Sequence, residues 1–282
     1  MTEITAETVG FIGCGTLTEA VITAIRRSGD RRTIVVSPRS QTVSRRLAAA
    51  FAGVERAASN AEVVARADIV VLAVRPQQLD EALDGLAFSP EQTIVSFVAK
   101  LPLDDLRRRV APAHRVCRVT PLPMIAIGRG PVVVHPVIDS VVRLFAPDGR
   151  AIVARSEDEM MAFGYASSLM STHLELQATI VDWLERRGVA AATAFDYVTA
   201  MFDGLAATAA ATAAADRAGL PERHETPGGL NARCRATLAA SGWFAELATM
   251  LDRLEQTSLE PRGDRRPSPE EPLDAATESH HR

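Results

Sequence analysis

Four stretches concentrate the glycines, hydroxyls, amides and basic groups suited to binding or catalysis. They are Gly13-Cys14-Gly15, Ser37-Pro38-Arg39-Ser40, the single lysine Lys100, and Thr226-Pro227-Gly228-Gly229-Leu230-Asn231. The first lies inside VGFIGCGTLTEA, Val9 to Ala20. A strand that turns through Gly-x-Gly into a helix aims bare backbone N–H groups and a helix N-terminus at one point, which suits a pyrophosphate. The third glycine of the dinucleotide pattern is missing and Thr18 stands there. The second stretch sits where a nucleotide's adenosine ribose is met. An acid there binds the 2′-hydroxyl of NAD. Hydroxyls and a guanidinium suit a 2′-phosphate instead, so NADPH is expected over NADH.

The strands and helices around these groups follow from the apolar pattern. Val9, Phe11 and Ile12 form a first buried strand, and Thr16 to Arg26 a helix with Leu17, Ala20, Val21, Ala24 and Ile25 on one face. Thr33–Ser37 is the second strand, Val54 a brief strand in the crossover from Ala49 to Asn60, and Asp68–Val74 a buried strand. Asn60 begins the helix NAEVVARA as its N-cap, at the adenosine side. Arg75-Pro76-Gln77 stops the strand where a ligand crevice opens. Gln78–Leu86 is helical, Thr93–Ala99 a strand ending at Lys100, and LDDLRRRV another helix. Arg115–Val119 is a strand, and Pro131–His135 is expected to be the last of the domain. The alternation gives an α/β fold, an open Rossmann-type sheet.

Glu157–Arg187 holds one long helix or two broken ones, and His173 within it reads as packing or surface. Thr193–Arg217 is a further helix whose middle, GLAATAAATAAA, offers small side chains for close helix approach, hence a dimer contact. Gly219-Leu220-Pro221 ends it. Helices from Asn231 to Ala240 and from Trp243 to Leu254 follow. The expected organisation is a nucleotide domain over 1–152, an all-α dimerisation domain over 153–257, and a polar, proline-rich disordered tail over 258–282.

Composition narrows the function. A net charge of −4 argues against nucleic acid. Three scattered cysteines give neither metal spacing nor a disulfide framework, so a reducing cytoplasm is expected and no metal. No signal segment or membrane-length apolar run is found in the sequence.

The chain resembles the pyrroline-5-carboxylate reductase family. VGFIGCGTLTEA is similar to that family's nucleotide loop, and SNAEVVARADIVVLAVRPQ to a segment ending Ala-Val-Lys-Pro-Gln, with Arg75 for lysine. RVTPLPMIAIGRG, from Arg118 to Gly130, resembles Arg-Ala-Met-Pro-Asn-Thr-Pro-Ala-Leu-Val-Gly-Glu-Gly. Thr226–Asn231 resembles Ser-Pro-Gly-Gly-Thr-Thr. The resemblance implies a Rossmann-type domain, a helical domain forming an interlocked dimer, and NAD(P)H-driven reduction of a cyclic imine. Carried over, Gly13, Gly15, Thr16 and Leu17 contact the pyrophosphate. Ser37, Arg39 and Asn60 contact the adenosine end, and Ala73, Val74 and Pro76 line the crevice. Leu122 replaces the family asparagine, Pro123 the threonine, Arg129 the glutamate, and Leu230 and Asn231 the two threonines. Cofactor-side residues are kept while substrate-side hydroxyls are largely lost.

A protonated imine accepts hydride without a strong built-in acid, which fits a sequence lacking an obvious acid–base pair. Asn231 is expected to meet the substrate nitrogen, or only to cap its helix, and Thr226 the substrate carboxylate. Lys100, where the family has glycine, binds a substrate acid group, donates a proton, or snorkels to solvent. Two other functions stay open: a non-catalytic NADP-binding protein, and an NADP-dependent 3-hydroxyacid dehydrogenase. Absence of any lysine after Lys100 argues against the latter.

Overall fold

The computed structural model describes residues 7–146 and 151–259, the last two by backbone only. The chain divides into two compact units after Ser168. The expected tail beyond residue 259 lies outside the described residues.

The first unit is an eight-stranded sheet in the order β3-β2-β1-β4-β5-β6-β7-β8. Its elements run β1 (Val9–Ile12), α1 (Thr16–Arg27), β2 (Ile34–Val36), α2 (Gln41–Ala50), β3 (Val54–Arg56), α3 (Asn60–Arg66), β4 (Ile69–Leu72), a 3₁₀ turn Pro76–Gln78 and α4 (Leu79–Leu83). Then come β5 (Thr93–Ser96), α5 (Leu103–Arg109), β6 (Arg115–Pro121), a 3₁₀ turn Pro123–Ile127, β7 (Val132–His135), α6 (Asp139–Phe145), β8 (Ala151–Val153) and α7 (Glu157–Ser167). The pairings from β3 through β6 are all parallel. Strand β7 runs antiparallel to β6, because the segment between Pro121 and Val132 holds only a 3₁₀ turn and no full crossover helix. It is not the last strand: β8 pairs parallel with it through α6.

Successive strand residues feed opposite faces. Val9 and Phe11 join Val21, Ile25, Leu144 and Phe145 in one core. Ile12, Val35, Val70 and Leu72 join Val63, Leu79 and Leu106 in the other. Gly10 points to that second face, where a Cβ would stand 2.7 Å from both Val63 Cγ1 and Ala67 Cβ. The bare backbone therefore lets α3 lie directly on β1. The unit runs past the expected limit at residue 152 because Met160 and Phe163 of α7 pack with Val133 of β7. Between β2 and β3, α2 extends through Ala50 into the stretch expected as crossover, burying only Ser44 and Leu47.

The second unit is helical: α8 (Leu169–Glu185), α9 (Ala191–Ala211), a 3₁₀ segment Ala214–Gly219, α10 (Leu220–Arg223), α11 (Leu230–Ala240) and α12 (Trp243–Leu259). The stretch 157–187 is thus two helices. The alanine-rich helix stops at Ala211, short of the expected Arg217, and Gly219-Leu220-Pro221 opens α10 instead of closing α9. Pro221 sits in the first turn of α10, where its missing N–H is of no consequence. Ala194 and Val198 are this unit's only buried apolar side chains among the described residues, while Trp183, Phe195, Tyr197, Trp243 and Phe244 are exposed. Among the described residues no helix is long and apolar enough to cross a membrane.

Candidate functional site

The glycine turn is held in place by side chains from both sides. Gly13 has φ +100°, and a Cβ there would lie 2.5 Å from the Ala73 carbonyl oxygen, so only glycine fits. Its N–H donates to Ser37 Oγ at 2.9 Å, and its carbonyl accepts from Thr18 Oγ1 at 2.9 Å. Thr18, in place of the third glycine, is buried and locks the turn onto α1. Gly15 differs: its φ is −104° and a Cβ would meet nothing within 4 Å. It is the helix N-cap with no side-chain cap, and both it and Thr16 are exposed. The first-turn N–H groups of a 12-residue helix thus face open space, with the positive end of the helix dipole behind them. That cradle fits a pyrophosphate.

On the adenosine side, Ser37 is buried with its N–H on the Phe11 carbonyl at 2.9 Å, so the loop leaves the sheet directly beside the glycine turn. Arg39 is exposed and pairs with Glu81 of α4 at 3.2 Å. Asn60 is not the cap of α3. Ser59 is, accepting from the Glu62 N–H, while Glu62 returns a bond to the Ala58 N–H. Asn60 instead donates through Nδ2 to the Ala82 carbonyl at 3.0 Å, tying α3 to α4. Arg56 belongs to no motif visible in the sequence. Its Nε donates to Ser44 Oγ at 3.1 Å and its Nη2 to the Pro38 carbonyl at 3.2 Å.

At the carboxyl ends of β4 to β6, Ala73 and Val74 are half-buried and Pro76 is exposed. Lys100 follows β5 in an exposed loop with φ +57°, the only described non-glycine residue in the left-handed region. Arg118, 5 % exposed, donates to Glu157 Oε1 at 2.8 Å, and the same oxygen accepts from the Leu103 N–H at 2.9 Å. One carboxylate therefore fastens α7, α5 and β6 together. Leu122 borders an apolar cavity of about 360 Å³ also lined by Thr120, Val133, Ile152, Phe163 and Ser167.

In the second unit the loop before α11 is closed on itself. The Gly229 N–H donates to the Thr226 carbonyl at 2.8 Å, and Gly228 takes φ +73°. The expectation that Asn231 caps the helix is corrected. Gly229 is the N-cap, and Asn231 lies inside the first turn. Its Nδ2 donates to the His224 carbonyl at 2.7 Å. His173 packs edge-on against Phe202 at 5.2 Å, with Gln177 Nε2 at 2.8 Å from its Nε2. Among the described residues no group of three acidic, histidine or cysteine side chains could hold a metal ion.

Residues 8–100 match the family described as NADP oxidoreductase, coenzyme F420-dependent. A pyrroline-5-carboxylate reductase of Pseudomonas aeruginosa is 34 % identical over 116 residues, which is 40 % of this chain and 42 % of the relative. The chain thus matches less than half the length of the curated relatives. A Plasmodium falciparum pyrroline carboxylate reductase solved with NADP bound superposes with a TM-score of 0.76 at 17 % identity, covering 90 % of this chain and 97 % of that one. A 1-pyrroline-5-carboxylate reductase from Streptococcus pyogenes gives 0.74 at 21 %, covering 89 % and 98 %. The chain resembles the pyrroline-5-carboxylate reductases, by sequence over part of its length and by fold over most of it.

Proposed function

We propose that this chain is an NADPH-dependent reductase of a cyclic imine, 1-pyrroline-5-carboxylate or a close relative of it, yielding proline or its analogue. The observation that carries the reading is the turn at Gly13–Leu17: one glycine jammed against Ala73, the next open to solvent at an uncapped helix start. Gly13, Gly15, Thr16 and Leu17 receive the pyrophosphate. Ser37, Arg39 and Asn60 receive the adenosine end, and Ala73, Val74 and Pro76 line the crevice. With no carboxylate at the end of β2, a 2′-phosphate is preferred to a 2′-hydroxyl.

The reduced nicotinamide supplies hydride when bound, and the residues' work is to orient the acceptor and balance its charge. In the second unit Asn231 Oδ1 accepts a hydrogen bond from the protonated imine nitrogen, since Nδ2 is already engaged by His224. Thr226 Oγ1 donates to the substrate carboxylate. In the first unit Lys100 attracts an acid group of the substrate, and its left-handed backbone is the strain expected where a side chain is held for a task. The exposed aromatic residues of the helical unit support a homo-oligomer built through it. Three free cysteines fit a cytoplasmic setting.

The test is oxidation of NADPH, followed by absorbance, with pyrroline-5-carboxylate, a panel of other cyclic imines and 3-hydroxyacids run in reverse with NADP. Imine turnover, lowered by Asn231→Ala, supports the proposal. Hydroxyacid turnover or tight NADPH binding with no turnover contradicts it, and the latter outcome fits a coenzyme-binding protein without reductase activity. Leu122 in place of the family asparagine is what keeps that second reading alive.

A further inference from the structure

We propose that Arg56 and Arg39 together form the seat for the coenzyme's 2′-phosphate, and that Glu81 is its built-in counter-ion, displaced when a phosphate arrives. The inference rests on the dinucleotide reading above and names what sets its coenzyme preference.

Arg56 closes β3 in register with Val36, the last residue of β2. Its guanidinium therefore stands beside the point where the chain leaves the sheet for Ser37-Pro38-Arg39-Ser40. Two bonds fix it there: Nη2 to the Pro38 carbonyl within that loop, and Nε to Ser44 Oγ, fully buried in α2. The loop is thus clamped from behind by a fixed positive charge. Nη1 lies outside both bonds. Ser37 Oγ accepts from the Gly13 N–H, and its hydroxyl brings no charge to the seat.

Arg39 supplies the second guanidinium, about half exposed. Its Nη1 lies 3.2 Å from Glu81 Oε2. Strand β1 separates β2 from β4 in the sheet, so this ion pair runs from the loop after β2 to the helix after β4 across the end of β1 that carries the glycine turn. The bond from Asn60 to the Ala82 carbonyl holds the residue next to Glu81, which keeps the carboxylate in reach. A phosphate monoester carries close to two charges and pairs with a guanidinium in two places, so it outcompetes one carboxylate. A coenzyme ending in a 2′-hydroxyl leaves the Arg39–Glu81 pair intact. Glu81 therefore weakens binding of the phosphorylated coenzyme alone.

Calorimetric titration of the full chain with NADPH, NADH and adenosine 2′,5′-bisphosphate tests this. Glu81→Gln is expected to tighten NADPH and the bisphosphate by about two- to fivefold, the scale of an exposed ion pair, and to leave NADH unchanged. Arg56→Gln is expected to weaken NADPH by about tenfold with NADH within about twofold, and Arg56→Lys to restore part of the loss. Equal weakening of both coenzymes by Arg56→Gln would mean that Arg56 only braces the loop, and would overturn its part in the seat. Since Glu81 is a surface side chain, Glu81→Gln tests the counter-ion without disturbing the core; an unchanged NADPH-to-NADH ratio overturns that part. If the wild-type chain binds neither coenzyme, the dinucleotide reading fails and this inference with it. If it binds NADPH and the ratios do not move, only this inference fails.

Discussion

Replacing Gly13 and Gly15 by alanine, one at a time, separates two jobs of the same turn. At Gly13 the new methyl would lie 2.5 Å from the Ala73 oxygen and 2.6 Å from its carbonyl carbon, and the backbone holds φ +100°. The left-handed conformation costs an L-residue about 1–2 kcal/mol. Relieving the overlap with backbone adds about 1–3 kcal/mol. Gly13→Ala should therefore lose about 2–5 kcal/mol of stability, or about 4–20 °C in Tm for a chain of this size. At Gly15 the methyl meets nothing and φ is already negative. Loss of an N-cap glycine costs up to about 1 kcal/mol. Gly15→Ala should fold with a Tm within about 4 °C of wild type. Its methyl stands where a pyrophosphate must approach the helix start, so NADPH affinity should fall by about tenfold or more, equivalent to about 1.4 kcal/mol. Differential scanning fluorimetry gives both Tm values, and calorimetric titration gives both affinities. Wild-type affinity in Gly15→Ala, or wild-type Tm in Gly13→Ala, would refute the division of labour.

Further outcomes follow from the same geometry. Burial, with Glu19 adding to it, pushes the Cys14 thiol up to about 11, and burial pushes Cys117 up to about 12, while Cys234 is exposed. At pH 8 a thiol reagent should therefore modify Cys234 quickly and the other two only after unfolding; fast modification of two or three in the native protein would be contrary. Because both folded values exceed the unfolded one, their contribution to stability is complete below about pH 9 and is lost as pH rises toward 11 and beyond, so Tm should decline over that range and a Cys14→Ala, Cys117→Ala pair should flatten the decline. Lys100→Gly relieves a left-handed backbone and should melt no lower than Lys100→Met; if Lys100 meets the substrate, both variants raise KM with little change in Tm. Changing Trp243 and Phe244 to serine should shift the chain toward monomer in light scattering; a wild-type chain that is already monomeric would remove the homo-oligomer from the proposal.

The parallel strands were legible because strands buried on both faces are continuous apolar runs, as in IVVL of β4 and TIVS of β5. Strand β8 was not, since three residues ending in two exposed side chains carry no period. The caps of α3 and α11 stand one and two residues ahead of Asn60 and Asn231, the asparagines that suggest them in the sequence. Asparagine is a good cap in isolation, yet Ser59 and Gly229 stand before them and the asparagine amides find carbonyls instead. Alanine favours helix without marking its end, which is why α9 stops at Ala211 with no sequence signal. Of the candidate site, the glycine turn was visible in sequence because its chemistry is local. Arg39 with Glu81 and Arg118 with Glu157 are 42 and 39 residues apart and meet only through sheet order.

The most direct measurement is a thermal shift of the purified full chain with NADPH and NADH across a concentration series. Seating of a phosphorylated nicotinamide carrier on the Gly13–Leu17 turn predicts a saturable rise in Tm, by about 2.7 kcal/mol of added stability at a hundredfold excess over Kd, larger for NADPH than NADH and lost in Gly15→Ala. An unmoved Tm with both reduced coenzymes would contradict it.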